Sequence, residues 1–310
     1  MSKPKIVIVA DVRTWCWARK SIAIQRQLGD EFDIRVFYSC DPQPNPLPSG
    51  FDLYHTYEIM QVPHLPDGLP YVTGITAHTW DGHIRNHGDG VLRRWIEKGK
   101  AFHANSFLLA EETRRRFNIV TVYCPNGVDE TFFQRLRPRA FDARLVVGFV
   151  GKPDPRKGRI LVEEACRRAG VEFRSIDRRH TDALPPEAMR DYYQDLHVLV
   201  VASDKDGTPN PALEAAACGV AIISNHIGNM PEFIQDGENG RLLGQRELPP
   251  QKPSVEAITD ALRSLDVLTA VRMGEAARAE IERAWTWKQQ AGHYAAMWRE
   301  ALAGGAERTA

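Results

Sequence analysis

The sequence lacks any excess of charge: Lys+Arg and Asp+Glu both number 40 in 310 residues. A balanced chain has no global field with which to hold nucleic acid or an anionic membrane, so an anionic ligand has to be bound locally. Cysteine is scarce. The five residues Cys16, Cys40, Cys124, Cys166 and Cys218 are odd in number, widely scattered and never in C-x-x-C spacing. That pattern fits reduced thiols of a cytoplasmic protein better than a disulfide framework or a zinc site. No apolar run approaches the roughly 18 residues that cross a bilayer, which leaves at most peripheral membrane contact. The opening Met1 to Pro4 leads straight into the apolar residues 5–10, too short for a signal-peptide core and without a small-residue cleavage site, so this segment is expected to be a first strand rather than a leader.

What is present is a long chain of alternating short apolar runs and helix-period segments. The length exceeds what one ordinary core supports and points to two domains of roughly 150 residues each. Strands are expected over residues 5–10, 32–38, 53–57, 71–76, 101–105 and 120–123, with helices over 18–28, 91–100 and 107–117. The pattern breaks at Pro125-Asn-Gly-Val-Asp129 and restarts with strands over 145–150, 173–176, 198–202, 221–224 and 241–243, and helices over 160–169, 186–196, 211–217, 255–265 and 268–284. A last amphipathic helix is expected from 288 to about 302. The fold class is therefore α/β with two Rossmann-like domains, residues 1–127 together with 288–305, and residues 128–287.

Three segments of the second domain carry chemistry. Phe149-Val-Gly-Lys-Pro-Asp-Pro-Arg-Lys-Gly158 is a strand end followed by a loop with Lys152, Arg156 and Lys157, and then a helix. Cations at the carboxyl edge of a parallel sheet neutralise phosphoryl oxygens, although a solvated basic turn reads the same in isolation. The loop is neither a Walker motif nor G-x-G-x-x-G. Ser203-Asp-Lys-Asp-Gly-Thr-Pro-Asn-Pro-Ala-Leu-Glu214 is a second strand end, a Gly/Pro loop and a helix start near Pro211. Free amides at that start favour an anion, Glu214 one turn in reaches ribose hydroxyls, and Asp206 faces a sugar ring. Residues 228–240 supply turns and a helix cap.

Together and in this order these segments resemble the C-terminal half of family four glycosyltransferases, retaining enzymes of the GT-B fold, well over residues 120–301 and more loosely before. Pro125-Asn-Gly-Val-Asp129 is similar to the interdomain motif, Gly151-Lys152 with Lys157-Gly158 to the donor-phosphate pair, and Asp206 with Glu214 to the E-x7-E motif, with aspartate one methylene short. Gly237 with Asn239-Gly240 resembles the D-G-x-N-G turn, and the helix from Trp287 the segment that crosses back to the first domain. The resemblance implies that Glu214 binds the donor ribose, that Gly207, Thr208, Asn210, Pro211 and Ala212 approach the sugar and diphosphate, and that Lys152, Arg156 and Lys157 hold the phosphates. It further implies a departing phosphate that deprotonates the acceptor, so that the donor is a nucleotide diphosphate sugar and no cofactor or metal is expected. His78, after the strand over 71–76, resembles a histidine that hydrogen-bonds the transferred sugar, against the plain reading of a satisfied strand-end histidine.

Other features point less clearly. The family's glycine-rich loop after the first strand is missing; Arg13, Trp15, Trp17, Arg19 and a third cation, Lys20, stand there instead. Aromatic rings stack on sugar or apolar acceptors and arginines hold anionic ones, while core tryptophans at a helix start are the competing reading. The acceptor is left open between a carbohydrate, a lipid-linked and a small molecule. Asp204-Lys-Asp206 also matches a D-x-D metal motif, and His78, Asp81, His83 and His87 invite a metal, but flexible spacing around Gly82 and Gly88 gives them no fixed geometry. Arg114-Arg-Arg116, Arg167-Arg168 and Arg178-Arg179 read as solvated faces. Base-reading contacts are expected from residues 177–184. The rival readings are a weak or silent nucleotide-sugar-binding protein of the same fold, a nucleotide-sugar epimerase, and an inverting transferase.

Overall fold

The computed structural model describes residues 2–42, 46–138, 144–177 and 184–304, and the chain divides into two compact units, Met1–Asn126 with Trp287–Ala310 and Gly127–Thr286. The division falls inside Pro125–Asp129, where the sequence pattern breaks.

The first unit runs β1 (Lys5–Ala10), α1 (Cys16–Leu28), β2 (Asp33–Tyr38), β3 (Leu53–Thr56), a 3-10 turn (Ile59–His64), β4 (Tyr71–Ile75), α2 (Trp80–His87), α3 (Asp89–Lys98), β5 (Ala101–Ala104), α4 (Phe107–Phe117) and β6 (Val122–Tyr123). Its sheet is parallel in the order β2-β1-β3-β4-β5-β6. Continuous apolar runs such as Ile6-Val-Ile-Val9 are what a strand needs when helices cover both faces. The sequence did not reveal α2. Gly82 and five polar residues obscure its period, yet Trp80 is fully buried, with its ring 4.8 Å from Phe117 and 6.0 Å from Phe102. Burial of that one large side chain outweighs the roughly 1 kcal/mol that a helical glycine costs.

The second unit runs β7 (Val146–Gly151), a 3-10 turn (Pro155–Lys157), α5 (Arg159–Ala169), β8 (Glu172–Asp177), α6 (Pro186–Gln194), β9 (Val198–Val201), α7 (Asn210–Ala217), β10 (Ala221–Asn225), α8 (Met230–Phe233), β11 (Gly240–Leu243), α9 (Val255–Arg263) and α10 (Val267–Ala284). Its five strands are parallel in the order β11-β10-β9-β7-β8. One sheet face packs Val162, Ala165, Ile258 and Leu262, the other Met189, Leu213, Ala216 and Ile281. A parallel bridge between Val128 and Thr286 ties the start of the unit to its end.

The last helix, α11 (Trp287–Leu302), belongs to the first unit. Trp298 packs edge-on against Phe32 at 5.3 Å, and the Tyr294 hydroxyl donates to the Cys124 carbonyl at 2.6 Å. Cys124, Cys166 and Cys218 are buried, and all five cysteines are free thiols. No helix of the described residues is long and apolar enough to cross a membrane.

Candidate functional site

From β7 the chain of the second unit moves to β8 on one side, then returns to β9 on the other. Ligands of open parallel sheets bind outside the carboxyl ends of strands at such a reversal. In this unit that place is formed by the loops after β7 and β9, the two that carry Lys157 and Asp206.

The loops are joined to each other. The Asp204 amide donates to the Arg156 carbonyl at 3.2 Å, and the Asn229 amide, in the loop after β10, donates to the Gly207 carbonyl at 3.0 Å. Close approach demands glycine at two points. Gly158 has φ +75°, and a Cβ there would lie 2.4 Å from the Ala202 oxygen; Gly228 has φ +52°, and its Cβ would lie 2.2 Å from the Gly207 oxygen. Both would collide with backbone, which cannot step aside.

Charged side chains in these loops are paired with each other. Lys157 Nζ donates to Asp206 Oδ1, so two residues expected to serve one donor are in direct contact. Arg156 forks onto Asp154, with Nε 2.8 Å from Oδ2, and its guanidinium holds that carboxyl down to about 2. Lys252 stands 3.3 Å from Asp204 Oδ2. Each carboxylate of the Asp204-Lys-Asp206 run thus faces its own lysine, an arrangement unlike a D-x-D pair sharing a cation. Among the described residues no three His, Cys, Asp or Glu side chains stand close enough to hold a metal ion.

Glu214 is buried in α7, and its Oε2 accepts the Tyr193 hydroxyl at 2.8 Å. The amides of Asn210 and Ala212 are turned back onto the carbonyls of Thr208 and Pro209, at 2.9 and 2.8 Å, and Pro211 has none. Of the amides expected to face an anion over 207–212, those of Gly207 and Thr208 are not taken up by these turns. Lys152 directly follows Gly151 at the end of β7 and is half-buried. Around the loops lie buried polar atoms without a hydrogen-bond partner among the described residues: Asp204 Oδ1, Thr208 Oγ1, Asn225 Oδ1, His226 Nδ1 and both amide atoms of the fully buried Asn229. Native interiors pair nearly all such atoms, so their concentration at one sheet edge marks a place built for polar contacts. Asn239 has a turn role instead, accepting from the Gln235 amide at 2.8 Å and donating to the Phe233 carbonyl at 3.0 Å. Residues 178–183, which contain Arg178-Arg179 and most of the expected base-reading loop, lie outside the described residues.

In the first unit, His78 lies between β4 and α2 and is buried. Its Nδ1 is 2.6 Å from Glu112 Oε2, while Nε2 has no partner among the described residues. A carboxylate only accepts, so Nδ1 donates to Glu112. His83 and His87 sit on the same helix but turn elsewhere, His83 to Glu58 at 3.3 Å and His87 to Trp95, ring centroids 5.6 Å apart. Arg116, expected as a solvated face, binds both Glu112 and Asp81, at 3.1 and 2.7 Å.

The segment after β1 is less available to a ligand than expected. Arg13 is paired with Asp41 and stacks 4.2 Å over Tyr38, and Trp17 packs against Tyr57 and the core. Trp15 is half-buried just before α1, and Arg19 lies in its first turns. Lys20, counted among the cations of an acceptor face, is buried instead. Lys20 lies one helical turn before the fully buried Ile24 and shares its inward face, with Nζ 4.5 and 5.1 Å from the rings of Tyr57 and Tyr294.

Two parallel Rossmann-like units of this topology define the GT-B fold, and solved structures share it over nearly the whole chain. Sucrose-phosphate synthase from Thermosynechococcus elongatus superposes with a TM-score of 0.75 at 15% identity, covering 98% of this chain and 100% of that one. Anabaena HepE, solved with UDP and glucose, gives 0.72 at 13% identity over 96% and 99%. Residues 130–265 match the model of the family Glycosyl transferases group 1. D-inositol 3-phosphate glycosyltransferases are similar: that of Corynebacterium glutamicum is 31% identical over 136 residues, 43% of this chain and 30% of that protein, and that of Segniliparus rotundus 30% identical over 290 residues, 77% and 63%. These matches span less than two thirds of each relative's own length. Residues 130–265 thus match the group 1 glycosyltransferases, and the chain as a whole has the GT-B fold.

Proposed function

We propose that the protein transfers a hexosyl group from a nucleotide diphosphate sugar to an acceptor hydroxyl, with retention of the anomeric configuration and without a metal. The observation that carries this reading is the contact of Lys157 with Asp206 at the strand reversal, with Glu214 buried on the helix that follows. Glu214 takes the ribose diol, Gly207 and Thr208 offer amides to the diphosphate, and Lys152 and Lys157 stabilise the charge that grows there as the anomeric bond breaks. Asp206 takes a sugar hydroxyl once phosphate competes for Lys157. The leaving phosphate removes the acceptor proton on the same face of the sugar, so the chemistry asks for no strong protein base. The relatives' names set the donor classes to try first: HepE was solved with UDP-glucose, and a similar Mycolicibacterium smegmatis protein is a GDP-mannose-dependent mannosyltransferase. The acceptor is a carbohydrate, a lipid-linked or a small molecule, and the enzyme works in the cytoplasm.

The test is a thermal-shift screen against UDP, GDP, ADP, TDP and their sugars, followed by NMR of the product anomer, since a ligand of the native state raises the melting temperature. Binding with neither transfer nor hydrolysis across the panel would make the protein a silent binder, the outcome that the shortened Asp206 and its lysine pairing would explain. Inversion at the anomeric carbon would refute the retaining course. Activity is expected to survive EDTA; loss restored by a divalent cation would overturn metal independence. Glu214→Ala is expected to weaken nucleotide binding roughly ten- to a hundredfold by calorimetry, because removal of a charged hydrogen-bond acceptor costs about 1.5–3 kcal/mol. Unchanged affinity would remove Glu214 from the site.

A further inference from the structure

We propose that Tyr193 is the positioning residue that sets the Glu214 carboxylate for the donor ribose, an inference that rests on the role given to Glu214 above. Tyr193 stands in the last turn of α6 and is fully buried, and its hydroxyl donates to Glu214 Oε2 at 2.8 Å. A glutamate side chain has three rotatable bonds and, left alone, samples orientations of which few meet two vicinal hydroxyls. One phenol donor on one oxygen restrains where the carboxylate points. It leaves Oε1 and the second lone pair of Oε2 to accept from a diol.

The phenol can act this way only if α6 is itself held, and its neighbours hold it. The Tyr192 hydroxyl accepts from the Phe149 amide at 3.1 Å and lies 2.9 Å from the Arg174 carbonyl, which pins the helix end to β7 and β8. Gln194 accepts from the Leu136 amide at 2.8 Å and donates to the Gln134 carbonyl at 3.0 Å. Three consecutive residues thus reach the central sheet, the ribose carboxylate and the entry connector of the unit. The helix end is a bracket between the strand that leads to Lys157 and the helix that carries Glu214.

Tyr193→Phe keeps the ring and deletes only the O–H. Calorimetry is run with whichever of UDP, GDP, ADP and TDP binds the wild type most tightly, and circular dichroism melts verify that each variant is folded. The expected result is nucleotide affinity and donor KM weakened about three- to tenfold with kcat within about twofold, the share of one hydrogen bond acting on ground-state binding. In a Glu214→Ala background the same substitution is expected to change affinity no further, because there is no carboxylate left to orient. Wild-type affinity in Tyr193→Phe, or an equal loss in both backgrounds, would overturn the positioning role. If Glu214→Ala itself binds like the wild type, or no nucleotide binds at all, the ribose assignment falls and this inference with it; if Glu214→Ala weakens binding and Tyr193→Phe does not, only this inference falls.

Discussion

Replacement of Lys157 by alanine is expected to lower kcat on the order of a hundredfold while nucleotide affinity falls less. The asymmetry comes from where charge develops. In the bound donor the diphosphate shares its charge with the sugar linkage; as the anomeric bond stretches, the oxygen that leaves gains negative charge, and a fixed ammonium beside it stabilises the transition state more than the ground state. Lys157 is suited to this by its setting. It closes the 3-10 turn at Pro155–Lys157, Gly158 anchors the turn against Ala202, and Asp206 already orients Nζ. Removing the lysine also leaves Asp206, whose side chain is only 20% exposed, as an unpaired anion next to the incoming diphosphate, which adds to the loss. Single-turnover measurements separate the chemical step from product release. A turnover equal to the wild type would take the lysine out of the mechanism.

The loops of the candidate site in the second unit were legible because their parts are local. Strand end, cationic loop and helix start each occupy a short stretch, and the order of apolar runs places two such stretches at neighbouring strand ends. Tyr193 was not legible, since a tyrosine in the last turn of an amphipathic helix reads as core, and its partner lies on another helix 21 residues further on. The same limit explains the segment after β1. A run rich in tryptophan and cations looks like a binding surface, but the inward face of α1 runs through Ala18, Ser21 and Ile24 and takes in Lys20 with them. Its spacing of four from Ile24 sends Lys20 inward, while Arg13, outside the helix, pairs with Asp41. The helix α2 escaped notice because its stability comes from Trp80 meeting Phe102 and Phe117, partners that no local period announces.

Lys20 gives the second large expected effect, on stability. Its Nζ has no hydrogen-bonding partner among the described residues; two tyrosine rings, two thiols and two histidines surround it, and no carboxylate acts on it. Burial brings its amine from the ordinary 10.5 down to about 7, with Cys124 and Cys16 acting in the opposite direction. In the unfolded chain the amine keeps its proton until about pH 10.5, whereas the folded protein releases it near pH 7. Between those values the unfolded state binds more protons, so this residue makes stability rise with pH across that window, and below about pH 7 the full cost of the buried charge applies. A displacement of this size corresponds to at most about 5 kcal/mol, and aromatic faces recover part of it. Lys20→Met, similar in length and apolar, is therefore expected to stabilise the protein at pH 6 by on the order of 2–4 kcal/mol, with the gain shrinking toward pH 10. His55 and His103, which burial keeps neutral, add their own acid sensitivity below that range, and because Lys20 also acts on both histidines the comparison is made at pH 6 and above. Urea melts of both proteins at pH 6, 8 and 10 read the effect directly. A difference that does not change between pH 6 and 10 would mean that the lysine keeps its proton in the folded core across that range, as it does in the unfolded chain, and a methionine variant less stable at pH 6 would mean that the ammonium has a partner worth more than its burial costs.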